Sequence, residues 1–143
     1  MDYRSDRPLR DNERTLIELL RSIEIKYDPL LIIVEGNRDE AILRNLGVKG
    51  QIIKTQTLKT REQLIDSIAD YSGPKGNVLI LTDFDAEGIE LCKSLERALE
   101  LKKVKMLRRL RLRIRNLMGN WRCIEELVAL FRRVDSPEPE GYS

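Results

Sequence analysis

Acidic residues follow two apolar runs in this chain of 143 residues. Glu35 comes directly after the run 30–34, and Asp83 and Asp85 come directly after the run 78–82. Continuous apolar runs of this length predict strands that are buried on both faces of a parallel sheet. Ligands of open parallel sheets bind beyond the carboxyl ends of the strands. If the two strands are neighbours, the three carboxylates therefore converge at that edge.

Carboxylates crowded into one small volume are typical of a divalent-metal site. Each negative charge raises the pKa values of its neighbours unless a cation compensates it. Asp83 and Asp85 stand at i and i+2, so their side chains point to the same face of an extended backbone. Mg²⁺ binds one or two carboxylates and keeps coordination sites for water and phosphate oxygens. Gly36 and Gly88 fit this picture as places where the backbone turns tightly or a phosphate approaches closely.

The elements that must position these residues alternate along the chain. The spacing of apolar residues and the residues typical of helix ends predict helices over 11–27, 37–46, 60–71 and 86–101. Strands are predicted over 30–34, 51–55, 78–82 and 104–107. Asp11 or Asn12 is the expected N-cap of the first helix, and Thr60 with Gln63 forms a capping-box pattern at the third. This alternation predicts an α/β fold, with a mostly parallel sheet of about four strands and helices on both faces.

The apolar pattern after residue 108 fits both the periodicity of a strand and that of a helix. Residues 109–115 alternate arginine with an apolar residue, as a half-exposed strand does, but the apolar residues also recur at helical spacing. We favour a helix, because leucine and arginine are good helix formers and Gly119 offers a stop. The strand alternative stays open at this point. A last helix is predicted over 124–134.

The length of the chain suits one domain. We divide it into a helical lead-in over 1–28, an α/β core over 29–108, a basic extension over 109–135 that packs on the core, and a tail over 136–143. The composition of the tail predicts disorder. Trp121 is expected to pack in the core, and stacking on a nucleic acid base is the alternative.

The absence of histidine narrows the possible chemistry. It excludes Ser-His-Asp and Cys-His nucleophiles, His-ligated zinc and imidazole acid–base catalysis. Cys92 and Cys123 show no metal-site or disulfide spacing, so we expect two reduced thiols. No apolar run approaches the ~18 residues of a membrane span, and the first residues lack a secretion signal. We therefore expect a cytoplasmic protein with no membrane partner.

Cationic residues cluster between positions 102 and 122. This stretch holds nine Lys and Arg and no Asp or Glu, so in a chain of net charge +2 the remaining residues carry −7. Clustered like charges repel one another, and counterion release rewards their binding to a polyanion. We therefore predict contacts with nucleic acid phosphates, the alternative being a solvated surface neutralised by acidic side chains elsewhere in the fold. The predicted contact residues are Lys102, Lys103, Lys105, Arg108, Arg109, Arg111, Arg113, Arg115 and Arg122.

The two acidic turns together resemble the Toprim family, the catalytic domain shared by topoisomerases, bacterial-type primases, some nucleases and recombination proteins. The family pattern is Glu-Gly after the first core strand and Asp-x-Asp-x-x-Gly after a later one. Glu35-Gly36 and Asp83-Phe84-Asp85-Ala86-Glu87-Gly88 match it, within a resemblance over roughly 30–110. The resemblance implies a Rossmann-like fold and a Mg²⁺ site, in which Mn²⁺ is a substitute, acting on phosphodiesters.

The resemblance also implies roles for individual residues. Glu35 would be the general acid or base, Asp83 and Asp85 would hold the metal, and Asp39 would be an accessory acidic residue. Glu35 and Asp39 are also counted among the candidate metal ligands. The chain is too short for the additional domains of a topoisomerase, and its cysteines do not supply the zinc module of a primase. It resembles small stand-alone Toprim proteins and the Toprim domain of the bacterial ribonuclease that matures 5S ribosomal RNA.

The function that this resemblance implies is a metal-dependent nuclease, a phosphodiester hydrolase acting on RNA or DNA, with RNA favoured. The alternative is a non-catalytic module that binds nucleic acid or a protein partner in an RNA-processing or DNA-repair assembly. A phosphotransferase of the haloacid-dehalogenase type is disfavoured, because its Asp-x-Asp normally follows the first core strand. Asp83 comes late in this chain.

Overall fold

A computed structural model describes residues 7–137 of the chain. Residues 1–6 and 138–143 lie outside the described residues, and with them most of the tail that was predicted to be disordered. The structure contains five α-helices, four strands and one 3₁₀ helix within the described range. In chain order these are α1 Asp11–Lys26, β1 Leu30–Val34, α2 Asn37–Asn45, β2 Gln51–Lys54, α3 Arg61–Ser72, β3 Asn77–Ile80, α4 Ala86–Leu101, β4 Lys105–Met106, α5 Arg108–Leu117 and the 3₁₀ helix Ile124–Arg132.

The four strands form one parallel sheet in the order β2-β1-β3-β4. Strand β1 is completely buried and pairs with β2 on one side and with β3 on the other. In the β1–β3 pair, Ile33 lies opposite Ile80. The carboxyl ends of these two strands are therefore adjacent, at the edge where the acidic residues begin. This arrangement confirms the predicted α/β fold with a parallel four-stranded sheet.

Apolar cores lie on both faces of the sheet. Successive residues of β1 alternate between them, as the period of a strand requires. Ile32 and Val34 pack with apolar residues of α1, α2, α5 and the 3₁₀ helix. Leu31 and Ile33 pack with apolar residues of α3 and α4 on the opposite face. The α5 helix and the 3₁₀ helix therefore complete one of the two cores, so the residues after 108 are an integral part of the fold.

Two helix starts illustrate how local chemistry decides boundaries. Thr60 caps α3 as predicted, with its hydroxyl accepting a hydrogen bond from Gln63 N–H at 3.1 Å. The expected N-cap of α1 is wrong, because Arg10 occupies that position and its N–H donates to the Glu13 carboxylate at 2.9 Å. Asn12 instead donates its side-chain N–H to the carbonyl of Leu117 at 2.8 Å, which ties α1 to the end of α5.

The ambiguous basic segment is helical, as favoured from the sequence. Leu110 and Ile114 of α5 are buried in the core, whereas Arg108, Arg109 and Arg113 of the same helix are exposed. The last predicted helix differs in type, since residues Ile124–Arg132 form a 3₁₀ helix. Its buried residues Ile124, Leu127 and Leu130 are three apart, the spacing that a 3₁₀ helix places on one side.

The 3₁₀ helix is joined to α1 by a buried ion pair. Arg133 donates to the two carboxylate oxygens of Glu13 at 3.2 and 2.9 Å. Burial raises the pKa of Glu13, but the hydrogen bonds from Arg133 and from Arg10 N–H outweigh it, so that the pKa lies below its ordinary value. Nearby, Leu9 N–H donates to the Asp135 carboxylate at 2.7 Å. Across residues 7–137, no helix is long and apolar enough to cross a membrane.

Candidate metal centre

The two acidic turns meet at the carboxyl ends of β1 and β3. Asp83 N–H donates a hydrogen bond to Glu35 Oε2 at 2.7 Å, which links the turn after β3 to the turn after β1. The sheet order makes this contact possible, because β1 and β3 are neighbours and run in parallel. The structure therefore brings Glu35 and Asp83 together at the edge that the sequence indicates.

Asp85 is both a helix cap and a member of this cluster. Its Oδ1 accepts a hydrogen bond from Gly88 N–H at 2.8 Å and thereby begins α4. The Thr82 hydroxyl donates to the Gly88 carbonyl at 2.8 Å. A Cβ atom at Gly88 would lie 2.1 Å from the Asp83 carbonyl oxygen, so only glycine fits there. Gly88 thus allows the loop to fold tightly against the start of α4.

Gly36 occupies the other turn in a less restrictive environment. Its backbone is extended, and a Cβ atom there would meet the Gln56 side-chain oxygen at 2.7 Å. Because Gln56 is an exposed and flexible side chain, this contact is easier to relieve than the one at Gly88. The two glycines of the predicted motif therefore differ in how strictly the fold requires them.

A loop from the far end of the chain completes the cluster. Asp83 Oδ1 accepts a hydrogen bond from Ile124 N–H at 2.9 Å, and Phe84 N–H donates to the carbonyl of Arg122. These bonds place the Cys123 sulfur 3.7 Å from Asp85 Oδ2, where its thiol donates a weak hydrogen bond. One potential ligand atom from each of Asp83, Asp85 and Cys123 lies within 4.8 Å of the other two.

Burial and the nearby carboxylates raise the pKa values of Glu35 and Cys123 at this site. Burial is the main cause that raises the pKa of Glu35, and the charges of Asp83, Asp39 and Asp85 add to it. The hydrogen bond from Asp83 N–H opposes this rise without cancelling it. Burial, followed by the charges of Asp83 and Asp85, raises the pKa of the Cys123 thiol to about 12. The cluster is thus a region in which negative charge is disfavoured.

Asp39 belongs to the same electrostatic neighbourhood. Its Oδ2 accepts a hydrogen bond from Gly36 N–H at 3.2 Å at the start of α2. Burial raises its pKa, and the charges of Asp83 and Glu125 raise it further. Glu125, which the sequence analysis missed, lies in the first turn of the 3₁₀ helix, 3.8 Å from Arg38. Neither Glu35 nor Asp39 is part of the tight ligand group formed with Cys123.

Arg111 has a structural position beneath this cluster, although it was predicted to contact nucleic acid. Its guanidinium donates to the carbonyls of Ile80 and Thr82, each at 2.9 Å, and to that of Asp83 at 3.3 Å. It also lies 4.3 Å from the centre of the Phe84 ring. Burial lowers the pKa of Arg111, while the charges of Glu35 and Asp83 oppose that change. Its contacts indicate that it holds the backbone of the acidic turn.

The rest of the basic segment is partly neutralised. Lys102 forms an ion pair with Asp66 at 3.2 Å, and Arg108 pairs with Glu96 and Glu100. Arg122 donates to the carbonyl of Gly119 at 3.0 Å. The expectation of an uncompensated stretch is wrong for Lys102 and Arg108, because acidic side chains of α3 and α4 face them, whereas the guanidinium of Arg122 contacts main-chain carbonyls. The exposed cations of the predicted set that have none of these contacts are Lys103, Lys105, Arg109 and Arg113.

Trp121 packs as predicted against the core on the α1 face of the sheet. Arg133 lies over its ring at 5.7 Å from the centre. This packing fixes the loop between α5 and the 3₁₀ helix, the loop that carries Cys123. Trp121 therefore contributes to the shape of the site from within the protein.

The chemistry of the donors fits a divalent cation. Carboxylate oxygens of Asp83 and Asp85 are ligands for hard divalent ions, and the sulfur of Cys123 is a softer donor. Within residues 7–137, no ion pair joins Glu35, Asp39, Asp83 or Asp85 to a Lys or Arg side chain. Burial is the main cause that raises the pKa values of Glu35 and Asp39, and a bound cation would relieve the repulsion that adds to it.

Comparison with known proteins agrees with this geometry. The model of the Toprim domain matches residues 30–117, from β1 through α5, and so includes Glu35, Asp83 and Asp85 but not Cys123. A UPF0292 protein of Thermococcus gammatolerans is 37% identical over 136 residues, which are 92% of this chain and 97% of that protein. A UPF0292 protein of Thermococcus onnurineus is 47% identical over 85 residues, covering 59% of this chain and 56% of the relative.

A solved structure shows the same fold. It is described as a putative protein from Aquifex aeolicus and superimposes with a TM-score of 0.62 at 20% sequence identity. The alignment covers 82% of this chain and 99% of that one. At this identity the similarity concerns the fold alone.

Proposed function

This chain belongs to the Toprim domain family, and on that premise we propose that it is a divalent-metal-dependent nuclease that hydrolyses phosphodiesters of RNA or DNA. The observation that carries the proposal is the convergence of Glu35, Asp83 and Asp85 at the carboxyl ends of β1 and β3. This edge is where open parallel sheets bind their ligands. Structured RNA is the first substrate class that we would test.

The three carboxylates have different roles in this proposal. Asp83 and Asp85 would hold the metal, which is Mg²⁺ or Mn²⁺ by the preference of carboxylate donors. When bound, the ion supplies charge neutralisation at the phosphate and its leaving oxygen and lowers the pKa of a bound water. Ile124 N–H fixes the Asp83 carboxylate, and Gly88 N–H fixes the Asp85 carboxylate, so both are oriented in advance.

Glu35 is the proposed general acid or base. Burial, the main cause of its raised pKa, brings its proton exchange closer to neutral pH, where a carboxyl group transfers protons more effectively. The hydrogen bond from Asp83 N–H holds Oε2 in place. In the acid role, Glu35 gives its proton to the leaving oxygen as the phosphodiester breaks. Asp39 supports this arrangement by accepting the Gly36 N–H at the turn that carries Glu35.

Exposed cations would bind the nucleic acid backbone. Lys103, Lys105, Arg109 and Arg113 are exposed, and contacts between such side chains and phosphates position a nucleic acid without reading its sequence. Arg111 supports the acidic turn from below through main-chain carbonyls. We therefore expect substitution of the exposed cations to weaken binding and to reduce its salt dependence.

A cleavage panel tests the proposal. Structured precursor ribosomal RNA, single-stranded DNA and supercoiled plasmid are incubated with the protein and Mg²⁺, Mn²⁺ or EDTA. We expect metal-dependent cleavage that falls by roughly 100-fold or more in Glu35→Gln, since general acid–base catalysis is typically worth that much. Asp83→Asn should lose activity together with metal affinity. Glu62→Gln changes an exposed carboxylate in the first turn of α3 and is the matched control.

The outcomes separate catalysis from binding. Cleavage that is equal in the wild type and in Glu35→Gln would point to a contaminating nuclease and overturn the proposal. Salt-sensitive binding of nucleic acid without cleavage by any substrate and metal combination would also overturn it. That second result would support the non-catalytic binding module instead.

A further inference from the structure

Cys123 lies beyond the residues that match the Toprim domain, yet it contacts the proposed metal centre. We propose that Cys123 is a third protein ligand of this centre, and that its sulfur adds to the Mg²⁺ and Mn²⁺ binding of the carboxylates a tighter binding of Zn²⁺ or Co²⁺. The inference rests on the metal-binding part of the proposed function. It assigns the choice among divalent ions to one residue outside the matched domain.

The backbone on both sides of Cys123 is attached to the acidic turn. The carbonyl of Arg122 accepts the Phe84 N–H, and the N–H of Ile124 donates to Asp83 Oδ1 at 2.9 Å. Cys123 stands between these two bonds. Its own N–H donates to Glu126 Oε1 at 3.0 Å, which fixes the start of the 3₁₀ helix. These three hydrogen bonds fix the backbone at Cys123, from which the sulfur reaches Asp85.

The distances suit ligands of a single ion. Zinc–sulfur and zinc–oxygen bonds of roughly 2.3 and 2.1 Å place two ligands of a tetrahedral ion about 3.6 Å apart. Cys123 Sγ and Asp85 Oδ2 are 3.7 Å apart. All three ligand atoms, including the one from Asp83, lie within 4.8 Å of one another, so small side-chain rotations bring them onto one ion. Cys123 is also only half-buried, which leaves a path from solvent.

The donor set predicts the metal preference. Thiolate sulfur is a soft ligand that favours Zn²⁺ and similar ions, whereas Mg²⁺ demands oxygen donors. On coordination the S–H bond breaks, sulfur keeps the electron pair for the metal, and the proton leaves to solvent. Two carboxylates and one thiolate leave a fourth position of a tetrahedral ion for water or a phosphate oxygen, the arrangement of a catalytic zinc site.

Cobalt absorption tests the inference without any assay of activity. Metal-free full-length protein is titrated with Co²⁺, and the thiolate-to-cobalt charge-transfer band is recorded. We expect the band in the wild type and in Cys92→Ser, and its loss in Cys123→Ser. Cys92 is the matched control, because it is a buried thiol that donates to Glu96 and not to the acidic turn. We expect Cys123→Ser to weaken Co²⁺ binding at least tenfold, roughly the effect of a lost metal-site interaction, and to change Mg²⁺ binding much less.

A second readout uses the reactivity of the thiol. In Cys92→Ser the only cysteine left is Cys123, so alkylation by iodoacetamide reports on that residue alone. Zn²⁺ should slow the alkylation, and the additional substitutions Asp83→Asn and Asp85→Asn should abolish this protection. Circular dichroism checks that each variant is folded.

The outcomes distinguish this inference from the proposed function. Co²⁺ binding without the band, or a band that survives in Cys123→Ser, overturns the inference and leaves a carboxylate-only metal centre for the nuclease. A band that depends on Cys123, in a protein that cleaves no nucleic acid, supports the inference and overturns the nuclease. A wild-type protein that binds neither Co²⁺, Mg²⁺ nor Mn²⁺ overturns both.

Discussion

Glu13 and Asp39 are buried to nearly the same extent, with 3% and 5% of their surfaces exposed, but they have opposite electrostatic surroundings. Each lies in the first turn of a helix and accepts the N–H of the residue that precedes that helix. Glu13 faces the guanidinium of Arg133, and its pKa is lowered. Asp39 faces the charges of Asp83 and Glu125, and burial together with these charges raises its pKa.

This difference shows what separates a structural carboxylate from one at a binding site. Burial and helix capping are common to both residues, so the sign of the neighbouring charge decides the outcome. Glu13 is fully compensated within the protein and joins α1 to the 3₁₀ helix. The carboxylates around Asp39 retain a negative potential at the edge of the sheet, which an external cation can neutralise.

Breaking the compensated pair should have the largest effect on stability. Arg133→Met leaves Glu13 buried without its cation, and the free energy of unfolding should fall by about 3–5 kcal/mol. Because the folded pKa of Glu13 is lowered, the contribution of the pair is present above the ordinary carboxyl pKa and is lost as the pH falls through the folded pKa. Urea unfolding between neutral and acidic pH measures this change.

The double variant Glu13→Gln with Arg133→Met serves as the control. It removes both charges from the buried site, so most of the lost stability should return. If the single and double variants were equally unstable, the loss would come from packing around Arg133 and Trp121, not from the unpaired charge.

Supplying a cation to the uncompensated region should have the next largest effect. A divalent ion at about 100 times its dissociation constant should stabilise the folded state by about 2.7 kcal/mol, since it binds only the native arrangement. Thermal unfolding with and without Mn²⁺ measures this stabilisation as a shift of the melting temperature. The shift should disappear when Asp83→Asn and Asp85→Asn are combined, and it should be unchanged in Glu13→Gln. A shift that survives the combined substitution would place the ion elsewhere.

Removing one charge from the uncompensated region should stabilise the metal-free protein. Asp39→Asn keeps an oxygen that accepts the Gly36 N–H, and we expect a gain on the order of 1 kcal/mol at neutral pH. Since the folded pKa of Asp39 is raised, its favourable contribution is present below the ordinary carboxyl pKa and is lost as the pH rises through the folded pKa.

The advantage of Asp39→Asn should therefore shrink on acidification, because protonation of Asp39 favours the folded wild type, whereas protonation of Glu13 disfavours it. Glu62→Gln, in the first turn of α3, should show only the small loss of a favourable helix-end charge. Chemical denaturation of the wild type, Asp39→Asn and Glu62→Gln at neutral and at acidic pH compares their free energies of unfolding. An equal or lower stability of Asp39→Asn at neutral pH would contradict our account of the site.

An exposed ion pair should have the smallest effect. Lys102 and Asp66 are 3.2 Å apart, but about half of each side chain is accessible to solvent. Lys102→Gln should change the free energy of unfolding by less than about 1 kcal/mol, and less still at high salt. Urea unfolding of the wild type and Lys102→Gln at two salt concentrations measures this change and its salt dependence. A large effect would mean that the basic segment contributes more to stability than its exposure indicates.

The sequence predicted the parts of the fold that depend on local patterns. Helix α4 begins and ends at the predicted residues, because Asp85 caps it and its apolar residues recur regularly. The adjacency of β1 and β3, required for the acidic turns to converge, was a condition of the prediction and not a result of it, because the alternation of strands and helices does not decide which strands pair. Glu35, Asp83 and Asp85 were accessible to sequence reasoning through their positions after buried strands.

The missed residues depend on contacts between distant segments. Cys123 is 38 residues from Asp85, and nothing in its local sequence indicates a partner. Arg111 looked like its exposed neighbours, because an alternating Arg and Leu pattern does not reveal which arginine points inward. Glu125 reaches the site only because the 3₁₀ helix packs near α2. Local periodicity identifies elements, but tertiary packing decides which of their side chains meet.

The hydrogen bond between Ile124 N–H and Asp83 Oδ1 makes one amide proton a spectroscopic reporter of the site. The chemical shift of an amide proton depends on the charge of the oxygen that accepts it, and this oxygen belongs to a proposed ligand. Substitution of Asp83 by asparagine and the arrival of a cation should therefore both move the Ile124 cross-peak. The unaltered sequence thus contains its own NMR probe of the site, which needs isotope enrichment but no chemical tag.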